Sequence, residues 1–128
     1  MKADIKRQWV EALRSGDYQP GAEYLRQADK FCCLGVLCDL AVKAGAITEV
    51  VNEAGFTLYG VEGDRDSEYL PRAVLEWAGL TEEPSVYTSV LYDDPAEDPE
   101  ADYFKLGELE FAHGFSFKAL ADLIEAQL

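Results

Sequence analysis

A chain of 128 residues, 48% of them hydrophobic, falls in the one-domain range and removes roughly two-thirds of its unfolded surface from water on folding, so one core over 1–128 is expected. Its 25 acidic and 11 basic residues leave −14 at neutral pH, a field that repels phosphate backbones and anionic headgroups and sets nucleic acid and membrane aside as partners. No run reaches the roughly 18 apolar residues of a spanning helix, residues 1–9 carry charge without an apolar segment behind them, and Cys32, Cys33 and Cys38 are not spaced as a secreted disulfide framework, so a cytoplasmic location is expected.

In chain order, Asp4 is placed to cap a first helix running to about Ser15, with Ile5, Trp9 and Leu13 recurring every four residues and Val10 widening the stripe. Gly16 stops it, and Asp17-Tyr18-Gln19-Pro20-Gly21 reads as a turn-rich connection. The run FCCLGVLCDLAVKA, within 30–44, is apolar on nearly every side and ends at Gly45, which predicts a buried central helix. Its internal Gly35 suits a close approach by another element. Residues 47–51 and 56–61 are β-prone and flank Asn52-Glu53-Ala54-Gly55, the pattern of a hairpin. Pro71 opens a helix through Trp77 and Ala78, closed by Gly79, with Val74, Leu75 and Ala78 inward. A β-prone segment at 85–92 follows. Six acids and two prolines among 93–102 then read as a loop. A helix over about 104–112, a turn at His113-Gly114-Phe115 and a last helix capped by Ser116, with Phe117, Leu120, Leu123 and Ile124 on its apolar face, complete the chain. The expected fold is therefore α+β: a compact single domain, mainly helical with about five helices and a small antiparallel hairpin or sheet.

Four pieces carry a family likeness: Trp9 with ALRSGDYQPG at 12–21, FCCLGVLCDLA at 31–41, LPRAVLEWAGL at 70–80 and FSFKALADLIEAQL at 115–128. Together they cover about half the chain, and the sequence resembles a widespread family of small phage and prophage proteins of uncharacterised function. The resemblance implies phage origin, and so the cytoplasm of an infected bacterial host, rather than an activity. The chain departs from the family pattern at Gln19-Pro20-Gly21, where a glutamine-glycine pair is usual. It departs again at Glu110-Phe111-Ala112-His113, where an asparagine-aspartate turn is usual.

The three thiols are the most reactive groups to test. On a helix Cys32 and Cys33 diverge by about 100° and Cys38 lies roughly 120–140° from each, so they cannot converge on one metal. No paired C-x-x-C is present, and His113 is the one imidazole in the chain, which predicts no metal site. The apolar setting predicts buried thiols packing as small hydrophobes, although a cysteine-dependent enzyme stays among the alternatives. Asp64, Asp66 and Glu68 fit the start of a calcium loop, but Tyr69 stands where the sharp turn needs glycine and Leu75 where the last ligand belongs. GFSFKALADLI resembles the first helix of a helix-turn-helix, with no basic second helix after it. No glycine-rich phosphate loop, serine-histidine-acid order or two-histidine helix motif occurs, so neither a cofactor nor an enzymatic activity is expected.

The turn after the first helix gathers Arg14, Ser15, Tyr18 and Gln19, with Arg26 a short way on. Cation, hydroxyl, amide and flat ring are the groups that grip a small polar ligand. The same residues can instead terminate the helix and lay Tyr18 over the core. Two partner classes follow. The first is a small polar ligand, a nucleotide-derived immune signal being the first to test, bound by a non-enzymatic accessory protein that can form a homo-oligomer. The second is a host protein met by the acidic surface, either as an inhibitor or as a DNA mimic.

Overall fold

The structure is a computed structural model that describes residues 1–21, 23–88 and 103–128; the 93–102 acidic loop lies outside the described residues. Among them are five helices: α1 (Ala3–Ser15), α2 (Cys33–Lys43), α3 (Arg72–Ala78), α4 (Leu106–His113) and α5 (Phe117–Gln127). The strands are short: β1 (Gln19–Pro20), β2 (Arg26–Gln27), β3 (Lys30–Phe31), β4 (Thr48–Val51), β5 (Thr57–Val61), β6 (Asp64–Asp66), β7 (Ser85–Tyr87) and β8 (Tyr103–Lys105). They form three small sheets ordered β1-β3-β2, β4-β5-β6 and β7-β8, so the protein is an α+β domain as its patterning predicts.

The amphipathic stripe of α1 is realised as Ile5, Trp9, Val10 and Leu13, all buried, and the helix ends at Gly16 in the left-handed region. It packs most extensively against α5, whose Phe117, Leu120, Ala121 and Ile124 are buried in turn. Leu123 is partly buried beside them. α2 is the centre of the molecule: Cys33 to Cys38 and Ala41 are all buried, and α1, α3 and α4 pack around it. The indole N–H of Trp9, itself fully buried, donates to the Cys33 carbonyl at 2.9 Å, tying α1 to the first turn of α2. Gly35 is the close approach that its position suggests. A Cβ there would fall 1.7 Å from the Leu25 carbonyl oxygen, so the chain before β2 crosses the helix backbone to backbone.

Three helix starts differ from the sequence reading, each for a tertiary reason. Asp4 does not cap α1 but lies in its first turn, where a carboxylate suits the helix dipole. The N-cap position is Lys2, whose backbone N–H is held by the Ala78 carbonyl at the end of α3 at 2.8 Å. α2 starts at Cys33 rather than near residue 30, because Lys30 and Phe31 are drawn into β3, parallel to β1 and antiparallel to β2. That small sheet, with its one parallel pair, is additional to the antiparallel hairpin the patterning predicts. The predicted hairpin exists, with Val51 opposite Thr57, and β6 adds a third strand to it. α4 begins after β8 rather than at Phe104. Trp77 is half-buried at the edge of the core.

Candidate functional site

The end of α1 and the start of α5 enclose a groove of about 660 Å³, walled by Leu13, Pro20 and Phe117 and edged by Arg14, Gly16, Tyr18, Gln19, Ser116 and Lys118. Three of the five sequence-selected residues, Arg14, Tyr18 and Gln19, therefore meet there. Arg14 stands on the last turn of α1 and reaches along α5, donating to Asp122 Oδ1 at 2.7 Å and to Glu125 Oε2 at 2.8 Å. The hydrogen bonds to Glu125 and then Asp122 raise the guanidinium pKa further, and Arg14 lowers that of Glu125 in return. Tyr18 presents its ring to the groove while its hydroxyl is anchored on α2, donating to Asp39 and accepting from Lys43 Nζ at 3.1 Å. Burial and then the Asp39 bond push the phenol pKa up. Its ring stands edge-on to Phe31 at 5.0 Å.

The other two selected residues go elsewhere. Ser15 finishes α1 locally, its hydroxyl donating to the Ala12 carbonyl at 2.7 Å and accepting the Asp17 N–H at 3.1 Å. Arg26 turns toward the sheets: its Nε donates to the Ala28 carbonyl at 2.8 Å, its guanidinium lies 3.6 Å from Glu49 and it stacks 4.8 Å above the Phe31 ring. Neither lines the groove.

Lys118 and the head of α5 are the parts of the groove that the sequence does not reveal. The Ser116 cap is legible, and its hydroxyl accepts the Ala119 N–H at 3.1 Å. A cap of that kind leaves other first-turn N–H groups without an intrahelical acceptor, and a helix N-terminus favours negative charge. Only the packing of α5 on α1 brings this end to the Tyr18 turn, and no local pattern encodes that.

A second concavity, of about 480 Å³, lies between α2 and α4. Cys32 and Leu34 form one side; Gly107, Glu108, Glu110 and Phe111 form the other, and Glu23, Glu68, Tyr69, Glu83 and Lys105 stand at its edges. Glu110 Oε1 accepts the Cys33 backbone N–H at 2.7 Å. Burial raises the Glu110 carboxyl to about 7, against the opposing pull of the Cys33 N–H and thiol. Burial, followed by the nearby Glu110 charge, holds the Cys32 thiol at about 12 and raises Cys33 well above the ordinary thiol range; burial also raises Cys38. All three thiols are buried, as their apolar run predicts. Among the described residues no group of three or more histidine, cysteine or acidic side chains is arranged to hold a metal ion. Asp66, from the calcium-like run, instead accepts the Glu68 and Tyr69 N–H groups at 2.8 and 3.0 Å and closes a turn. No described helix is long and apolar enough to cross a membrane.

A family model described as a domain of unknown function, DUF8296, matches residues 1–128, and the chain belongs to that family. Neither a curated protein nor a solved structure matches it.

Proposed function

We propose that this member of the DUF8296 family is a non-catalytic accessory protein of phage origin that binds a host component, with the α1–α5 groove as the seat of a small anion-bearing ligand such as a nucleotide-derived signal. The observation that carries this reading is the meeting of Arg14, Tyr18 and Gln19 with Lys118 and the first turn of α5 around one groove of about 660 Å³. A flat ring is accommodated by Tyr18, Pro20, Leu13 and Phe117, and an anionic group by Lys118 and the helix N-terminus. Arg14 already shares its charge with Asp122 and Glu125, so in this reading it orients the groove wall and Lys118 supplies the cation. The phage assignment rests on the four sequence pieces that resemble phage and prophage proteins.

Native mass spectrometry of the protein purified from bacterial cells with active signalling systems tests the reading, together with thermal shift against a panel of cyclic and linear nucleotides. A co-purifying small anion, lost in Lys118→Glu and kept in Arg26→Ala, is the expected result. A clean protein mass and no shift with any nucleotide at millimolar concentration would overturn it.

The α2–α4 cleft favours a second reading, a protein inhibitor that receives a basic segment of a host protein. Five carboxylates, Glu23, Glu68, Glu83, Glu108 and Glu110, line it against Lys105, beside the exposed rings of Tyr69 and Phe111. That reading predicts that arginine-rich peptides bind with strong salt dependence and that Glu68→Gln with Glu108→Gln weakens them. Salt-independent binding, or none, removes it. The cysteine-enzyme alternative has the least support, because a thiol at about 12 is not a nucleophile at neutral pH.

A further inference from the structure

Three concavities of the surface adjoin one another. The α1–α5 groove shares Pro20 with a hollow of about 540 Å³ beside β1 and β3, and that hollow shares Glu23 and Phe111 with the α2–α4 cleft. Charge changes sign along the row. The α1–α5 groove is lined by two cations, Arg14 and Lys118, and by no carboxylate. The middle hollow has one group of each sign, Lys30 and Glu23, and the cleft has five carboxylates against Lys105. None of those five is in an ion pair among the described residues. Tyr24 lines the middle hollow, and Phe111, 56% exposed, stands where it meets the cleft.

We propose that these hollows act as one docking groove for an extended peptide segment of a partner protein, basic at the end that enters the α2–α4 cleft and acidic at the end that reaches Lys118. The path starts in the cleft read above as the seat of a basic protein segment, depends on that reading, and carries the segment past Phe111 and Pro20. Charge complementarity selects this occupant. A nucleic acid or polyphosphate is negative throughout and would set its charge against five carboxylates at one end; a polyamine is positive throughout and would meet Arg14 and Lys118 without a counter-charge at the other. A polypeptide strand carries both signs in a fixed order, and its apolar side chains can pack on Phe111 and Tyr24 between the two ends.

The test uses the full chain and synthetic peptides of about twelve residues, which at about 3.3 Å per residue cross a domain of this size when extended. All share one composition, with equal numbers of arginine and glutamate, so the protein's net charge of −14 favours none of them. Two peptides gather the arginines at one terminus and the glutamates at the other, in either order; a third alternates the two. In fluorescence anisotropy one segregated order should bind about tenfold or more tightly than the alternating peptide, because both ends are captured on a single strand. Glu68→Lys with Glu108→Lys, Lys118→Glu and Phe111→Ser, all at exposed positions, should each bring it down toward the alternating peptide without lowering the melting temperature. The arginine half alone should respond to the paired glutamate substitutions and not to Lys118→Glu.

Equal binding of segregated and alternating peptides overturns the continuous groove, as does a segregated peptide indifferent to Lys118→Glu or to Phe111→Ser. If the arginine half still binds in those cases, the cleft reading stands and only its extension falls; if it does not bind, both fall. A protein that self-associates in sedimentation, and whose self-association the segregated peptide competes away, would assign the groove to a second copy of the chain and overturn the partner segment.

Discussion

Replacing Glu110 by glutamine should stabilise the protein at pH 8 and leave it nearly unchanged at pH 4.5. The carboxyl is raised from 4.5 to about 7 in the folded state, chiefly by burial. A folded pKa above the unfolded one means that the native state holds the proton more tightly. Stability is therefore undiminished below pH 4.5, falls as pH rises toward 7 and carries the full penalty above it. At about 1.36 kcal/mol per pKa unit that penalty is at most about 3 kcal/mol. Glutamine is nearly isosteric, still accepts the Cys33 N–H and cannot ionise. Urea melts of both proteins at pH 4.5, 6, 7 and 8 should give a stability difference that grows across the first three points and then levels. The remaining carboxylates titrate in both proteins, so the difference isolates Glu110. A difference that does not change with pH would refute the argument that burial, rather than packing, sets the behaviour of this residue.

Gly35→Ala should be among the most damaging single-methyl additions in the chain. The new Cβ meets the Leu25 carbonyl oxygen at 1.7 Å and backbone must move, so a loss of about 3 kcal/mol or more, or no folded protein, is expected in chemical denaturation. Tyr59→Phe should be within about 1 kcal/mol of neutral, because among the described residues the buried Tyr59 hydroxyl makes no hydrogen bond of good geometry and has only the Arg26 guanidinium as a polar neighbour. A thermal melt that drops by several degrees would show that the hydroxyl is satisfied in solution. The three cysteines should react with a thiol-reactive dye no faster than the chain opens, since all are buried and their thiols are raised out of the neutral range. One thiol reacting at the rate of a free peptide cysteine would contradict that.

Helices were legible in the sequence wherever an apolar stripe and its punctuation agreed. Trp9 every-fourth-residue spacing with Gly16, and Phe117 to Ile124 behind Ser116, place α1 and α5 to within a residue or two. The strands that were missed contain two or three residues, too few for alternation to register, and β3 exists because its neighbours in space supply the other half of its ladder. Glu110 illustrates the same limit at the level of chemistry. In sequence it is one acid among 25; what singles it out is that the packing of α4 on α2 carries it to the Cys33 N–H and partly buries it. Arg14 shows the converse. Its residue type and its place in a polar turn mark it as a ligand group, yet Asp122 and Glu125, more than a hundred residues away, occupy its guanidinium.

A chain of net charge −14 and a groove offered to an anion are compatible only if the anion is small. Exposed charges more than about 8–10 Å apart are largely screened at physiological salt, so a compact phosphate beside Lys118 senses that lysine and the α5 amides far more than the acids on distant faces. Asp122 and Glu125, on the same helix as Lys118, are partly neutralised by Arg14. A long polyanion would extend past this neighbourhood and meet the general acidity of the surface, as the composition anticipates. The salt dependence of binding separates these cases: a single small anion should lose affinity only modestly between 50 and 300 mM salt, and Arg14→Gln should weaken it by freeing Asp122 and Glu125 beside the groove. Binding that is unaffected by Arg14→Gln would place the ligand away from the α1–α5 groove altogether.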